Sequence, residues 1–220
     1  DASVGGKTAV DTPLATNLIG IFNQPEKVYL DIATWKTLPK EQISSGLAET
    51  IKHACIADRE FFHYISDNMD AIFAVDETVC EHIAEMNCKI KCEVVMQDER
   101  ESGMREILNL GHTVGRAIET VSGYRLLHGQ ALAIGLMAEV KMAKKLGYCS
   151  DEDVALMQNI LSRAKLPTAI PDYIDRETLV KKLYTDKKAK NGNLRFVFQE
   201  GIGKIKVFDN EQYAQVIPES

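Results

Sequence analysis

The sequence predicts a mainly α, multi-helical domain with a leading strand and linker and a small β-hairpin near its C-terminal end. Six segments between residues 45 and 164 carry apolar residues at helical spacing, and Gly or Pro separates most of them. Runs rich in β-branched and aromatic residues occur only near the two ends. At 220 residues the chain is long enough to bury a real core, as one domain or one and a half.

Residues 1–25 are rich in Gly, Thr, Asn and Pro and read as loop with short extended pieces. Residues 27–32 (KVYLDI) read as a strand, yet no second strong strand follows for over a hundred residues. A lone strand needs a sheet to join, so a partner sheet is expected outside this sequence. The opening at Asp1, directly into the loop DASVGGKTAVDTP, fits a piece cut from a longer chain. Helices are then expected over 45–57, 59–68, 77–97, 104–121, 129–146 and 152–164, punctuated by Gly103, Gly123 and Gly147. Residues 194–198 and 204–208 read as a hairpin across EGIG.

The formal net charge of −6 argues against a generic nucleic-acid surface. There is no uninterrupted apolar run of about 18 residues and no secretory signal, so no membrane span is expected. The five cysteines are an odd number without a Cys-x-x-Cys pair, which reads as reduced thiols in a cytosolic protein. Cys88 and Cys92 share a helix face but lack a third soft ligand nearby.

The most chemically suggestive stretch is GMREILNLGHTVGRA. Its Arg105, Asn109, His112 and Arg116 recur at helical spacing and would share one face of a continuous helix, opposite Ile107, Leu110, Val114 and Ile118. A cation, an amide, an imidazole and a second cation suit a ligand-facing surface better than an ordinary solvated one. Glu49, His112 and His128 form a candidate metal set, because two imidazoles and a carboxylate leave coordination positions open for substrate. Ligands so far apart in sequence leave no local signature, and His53, His63 and His82 read as surface or core residues. Lys7, Lys52, Lys91, Arg105, Arg116, Lys187 and Lys188 would suit a carboxylate or phosphate if the fold gathers them. For any single lysine, a solvated side chain is the ordinary reading. The SVGGKT loop lacks Walker spacing, although its glycines can offer N–H groups to an anion.

Taken together, DASVGGKTAV, PLATNLIG, TWKTLP, SGLAETIKH, DERESGMREILNLGHTVGRAIE, LHGQALAIGL and TDKKAKNG resemble the 3-dehydroquinate synthase family, in its order and spacing. The resemblance implies the C-terminal helical domain of that fold over residues 41–220. Residues 1–40 would be the linker and last strand of an N-terminal nucleotide-binding domain that is missing here. It also implies a cytoplasmic homodimer of the shikimate pathway that takes a phosphorylated sugar acid, with no role for nucleic acid or membrane. Such enzymes convert 3-deoxy-arabino-heptulosonate 7-phosphate to 3-dehydroquinate and phosphate, with NAD and a divalent metal, commonly zinc or cobalt. The C5 hydroxyl is oxidised, phosphate leaves by β-elimination, the ketone is reduced back, and the ring opens and recloses as a carbocycle.

By motif, the resemblance gives Glu49, His112 and His128 the metal. Asp1, Lys7, Asn17, Lys52, Lys91, Arg105, Asn109 and Lys187 would hold substrate. Glu101, Lys52 and Arg116 occupy catalytic positions, and Lys7, Thr16, Thr34, Trp35, Lys36 and Thr37 lie where the linker meets NAD. Three residues depart from the family pattern: Thr16 replaces a common lysine, Arg116 the histidine of GHTxGHA, and Gln130 the Glu of HGE. Arg116 keeps a charge but cannot serve as a base near neutral pH. The alternatives are another sugar-phosphate cyclase of the same superfamily and a non-catalytic metal-binding or dimerisation module.

Overall fold

Eight α-helices carry the chain in the computed structural model, which describes residues 1–10, 12, 18–185 and 194–217. At the N-terminal end, β1 (Lys7–Val10) and β2 (Ile19–Phe22) form an exposed antiparallel hairpin with Lys7 opposite Phe22. A 3-10 helix at Ile32–Thr37 leads into α1 (Lys40–Ala57), α2 (Arg59–Asp67), α3 (Met69–Ala74) and the long α4 (Glu77–Gln97). A second 3-10 helix, Met104–Asn109, precedes α5 (His112–Val121), α6 (His128–Lys145), α7 (Asp151–Arg163) and α8 (Arg176–Thr185). Strands β3 (Leu194–Phe196) and β4 (Gln215–Ile217) pair antiparallel near the C-terminal end.

Local chemistry fixes the helix starts. Asp58 and Asp76 accept from the backbone N–H groups of Phe61 and Val79, capping α2 and α4, and Ser150 with Asp153 forms a reciprocal capping box at α7. Helix α6 is apolar on nearly every side, as a helix buried within a protein must be. Leu132, Leu136, Met137 and Val140 face a core shared with α1, α2 and α7. Ala131, Ile134 and Ala143 face a second core with α5, α8 and the paired Phe196 and Phe198. No helix among the described residues is long and apolar enough to cross a membrane.

Two glycines let neighbouring backbones touch α6. A Cβ on Gly135 would stand 2.0 Å from the Gly111 carbonyl oxygen, and one on Gly129 would stand 2.0 Å from the carbonyl oxygen of Ser45. Both contacts bring elements that carry polar side chains against the N-terminal half of α6.

The structure corrects the sequence reading in three places. Residues 27–32 form no strand: Tyr29 is 84% exposed, and Asp31 instead caps the 3-10 turn by accepting from the Ala33 N–H at 2.9 Å. β propensity cannot build a strand without a neighbouring ladder, and the described residues offer none there. The expected helix over 104–121 is broken at Leu110 and Gly111, where Gly111 takes φ +77°. The expected C-terminal hairpin reduces to one bridge between Gln199 and Ile205, while β3 pairs with β4. Its tip is drawn into the core, where the Gly203 N–H donates to Cys55 O and the Ile202 N–H to Asp153, so those groups leave the ladder.

Substituting Gly135→Ala forces a methyl into the Gly111 carbonyl, a backbone atom that cannot rotate away. The expected cost is at least about 3 kcal/mol in urea unfolding. Gly46→Ala in α1, where a Cβ meets nothing within 4 Å, should stabilise by about 0.5–1 kcal/mol in the same assay.

Candidate active site

Glu49 projects from the middle of α1, while His112 and His128 are the first residues of α5 and α6. The three converge. Glu49 Oε1 lies 3.3 Å from His112 Nε2 and 3.1 Å from His128 Nε2, and one ligand atom from each residue falls within 4.8 Å of the others. Lys52, one turn after Glu49 and itself buried, ion-pairs with the second carboxylate oxygen. Burial alone would raise the Glu49 pKa, but Lys52 and the two imidazoles hold it well below the usual carboxylate range.

The two imidazoles differ. Burial lowers the His112 pKa to about 4, against the pull of Glu49 and with help from Lys52 and Arg116. Its Nδ1 faces the Leu110 carbonyl at 3.2 Å and its Nε2 faces Glu49, so a neutral ring has one proton for two acceptors. A divalent cation at Nε2 resolves that mismatch, and the donor set is one that zinc or cobalt accepts. Hydrogen bonds donated to Glu119 and Glu49 push His128 up to about 9, against the partial desolvation of its ring. Turning His112 toward the site depends on the turn before it, where the Gly111 N–H donates to the buried Glu139 carboxylate at 2.5 Å.

Around this trio the fold gathers cations from distant parts of the chain. Lys91 on α4 donates to Asp1 Oδ2 at 2.8 Å, and Asp1 lies beside Glu49 and His53. Lys7 pairs with Glu101, which also accepts from Asn109 Nδ2 at 3.1 Å. Burial chiefly lowers the pKa of Lys7, Lys52 and His112, and the charge of Arg116 adds to it in each case. Among the described residues no acceptor holds the Arg116 guanidinium. Arg105 is 2% exposed and donates to the carbonyls of Gly5 and Glu99 at 2.7 and 2.5 Å, pinning the N-terminal loop to the segment after α4.

Because the helix breaks at Gly111, Arg105 and Asn109 do not continue the face of α5 that bears His112 and Arg116. The single-face stripe therefore does not exist, although loop geometry still brings Asn109 to Glu101. In the linker, the hydroxyls of Thr34 and Thr37 donate to carbonyls of their own 3-10 turn, and Lys36 is exposed. Trp35 lines a cleft of about 210 Å³ with Asp1, Leu38, Gly46, Thr50 and Asn87. Thr16, Asn17, Lys187 and Lys188 lie outside the described residues.

Comparison with known proteins places the chain in one family. The profile described as 3-dehydroquinate synthase C-terminal matches residues 46–189, and the one described as 3-dehydroquinate synthase N-terminal matches residues 1–45. The chain belongs to the 3-dehydroquinate synthase family. It is 44% identical over 220 residues to the 3-dehydroquinate synthase of Ruminiclostridium cellulolyticum, covering 99% of this chain and 61% of that protein. The Thermodesulfovibrio yellowstonii enzyme is 45% identical over 208 residues, 94% of this chain and 58% of the relative. The chain thus spans about three-fifths of the family members it matches. Two solved structures share the fold. A 2-deoxy-scyllo-inosose synthase complexed with carbaglucose-6-phosphate, NAD+ and Co2+ aligns with TM-score 0.87 at 23% identity, over 99% of this chain and 60% of its own. A 2-epi-5-epi-valiolone synthase from Streptomyces hygroscopicus, with NAD+ and Zn2+ bound, aligns with TM-score 0.86 at 20% identity, over 96% and 59%.

Two further side chains belong here: His53, expected at the surface or in the core, lies in the core, and Asp98 escaped the sequence reading. His53 is fully buried, with Nδ1 2.7 Å from Asn87 Oδ1 and Nε2 3.9 Å from Asp1 Oδ2, and burial above all lowers its pKa to about 3. Asp98 accepts from the N–H groups of Ser102, Gly103 and Arg105 at 2.7–3.0 Å, and from the Ser102 hydroxyl. It thereby folds the loop that presents Glu101, whose own φ is +58°. Nothing marks Asp98 in sequence beyond its place at the end of α4.

Burial would raise the Asp98 pKa, but these donors hold it at about 2, below its ordinary 3.8. A depressed carboxylate pKa stabilises the fold fully above the ordinary value, and that stability is lost as pH falls through about 2. Asp98→Asn is expected to cost about 2 kcal/mol at pH 7, with the difference from the parent chain shrinking between about pH 4 and pH 2. Urea unfolding at pH 7 and pH 2.5 checks this, and an equal loss at both would contradict it.

Proposed function

We propose that this chain supplies the metal- and substrate-binding part of a 3-dehydroquinate synthase, acting on 3-deoxy-arabino-heptulosonate 7-phosphate to give 3-dehydroquinate and phosphate. The reading rests on the convergence of Glu49, His112 and His128 beside Lys52, with Lys91 held on Asp1, which neighbours Glu49. Residues 1–40 then belong with a preceding nucleotide-binding domain, and residues 41–220 form the helical domain. The working enzyme is a cytoplasmic homodimer of the shikimate pathway. The 44% identity to a named relative and the complexes of fold relatives with NAD+ and Zn2+ or Co2+ support this reading.

When bound, NAD accepts and returns a hydride, and zinc or cobalt polarises the hydroxyl being oxidised and the ketone it becomes. The chain's own groups position and balance charge. Lys52 keeps Glu49 ionised, and Lys91 fixes Asp1 where it can meet substrate hydroxyls. Glu101, held by Lys7 and Asn109, is the carboxylate available for proton transfer. Arg116 cannot take a proton near neutral pH, so it grips phosphate while the departing phosphate or Glu101 receives the proton. In this reading Asn17 and Lys187 complete the substrate contacts while Arg105, its guanidinium on the Gly5 and Glu99 carbonyls, holds the N-terminal loop, and Lys7, Thr16 and residues 34–37 make the cofactor contacts.

The test begins with metal. The parent chain should bind one zinc or cobalt ion and His112→Ala should lose it. The chain alone should release no phosphate from the heptulosonate phosphate, and extension to the family's full length should restore NAD-dependent release. Turnover only of a different sugar phosphate would favour another cyclase of the superfamily, and metal binding with no turnover of any would favour a non-catalytic module.

In the extended enzyme, Arg116→Ala should raise KM for the phosphorylated substrate about tenfold or more, the worth of a charge-assisted hydrogen bond. Arg116→His should keep much of the activity. Unchanged kinetics in Arg116→Ala would overturn the phosphate role.

A further inference from the structure

The two imidazoles of the metal site are held by different means. His112 is 7% exposed and its Nδ1 faces a main-chain carbonyl. The His128 side chain is 45% exposed and follows a loop, so packing does little to fix its ring. Its Nδ1 lies 3.3 Å from Glu119 Oε2. Glu119 sits on α5, seven residues and thus two turns beyond His112, on the same side of that helix. Its main-chain carbonyl also accepts from the Tyr124 N–H at 3.1 Å and from the Ser122 hydroxyl at 2.8 Å, anchoring the start of the loop that leads to His128.

We propose that Glu119 is the positioning residue for His128, holding its imidazole through Nδ1 so that Nε2 faces the metal position beside Glu49. An ionised carboxylate can only accept, so its contact with Nδ1 keeps a proton on that nitrogen, and Nε2, 3.1 Å from Glu49 Oε1, is the atom that would take a cation in place of its own proton. One short helix then sets both imidazoles: its first residue supplies a ligand, and its eighth, Glu119, orients the other. The proposal rests on the metal reading given above.

Cobalt titration of the 220-residue chain, followed by visible absorption, tests it. Glu119→Ala should weaken cobalt binding about 10–100-fold and alter the absorption bands, while the far-ultraviolet circular dichroism stays that of the parent. Glu119→Gln, whose amide oxygen can still accept from Nδ1–H, should recover most of the affinity. The zinc-loaded parent chain gives a second readout that no variant's folding can spoil: imidazole 15N spectra should show His128 protonated at Nδ1 and coordinating through Nε2. Parental affinity and bands in Glu119→Ala, or coordination of His128 through Nδ1, would overturn the role of Glu119. Failure of the parent chain itself to bind cobalt would instead remove the metal reading, and this proposal with it.

Discussion

The contact between the turn at Leu110–Gly111 and the middle of α6 sets the geometry on which the site depends. The Gly111 carbonyl rests where a Gly135 side chain would be, and the Gly111 N–H donates to the buried Glu139 of the same helix. That turn ends the 3-10 helix, starts α5 and aims His112. Because α6 also begins with His128 and meets α1 through Gly129, one buried helix fixes the relation of all three candidate ligands. A shift of α6 would move two of them at once.

Charge in the site is arranged in opposing pairs. Lys52 faces Glu49, Lys91 faces Asp1 and Lys7 faces Glu101, so the cations enter a partly buried space with carboxylates to offset their desolvation. Burial still lowers the pKa of each of these lysines, the expected direction where a charge gives up water. Arg116 stands apart from this pairing, since no acceptor among the described residues holds its guanidinium. Asp98 and Arg105 perform the complementary structural work by tying the Glu101 loop and the N-terminal loop to the end of α4.

Much of the architecture was legible from local pattern. The expected helix over 77–97 coincides with α4, and α6 and α7 begin within one residue of expectation, because apolar spacing and caps are properties of contiguous sequence. Two short helices, α3 and α8, passed unnoticed, the six residues of α3 carrying too little periodicity to stand out. The break at Gly111 was hidden for a different reason. Apolar residues keep helical spacing across it, and only the close packing of Gly111 against α6 makes the left-handed turn the better solution.

The site divides along the same line. Residue chemistry and family motif named Glu49, His112, His128, Lys52, Lys91 and Glu101, because ligand type and motif order are written in one dimension. Glu119, Glu139 and Asp98 were invisible there: each acts on a partner that only folding brings near, and a lone carboxylate carries no spacing signal. The sequence by itself determined the family, the helical character and the candidate ligand set. Only the tertiary structure decided which faces meet, that Arg105 is buried against backbone carbonyls, and which acceptors orient each imidazole, because those contacts join segments up to a hundred residues apart.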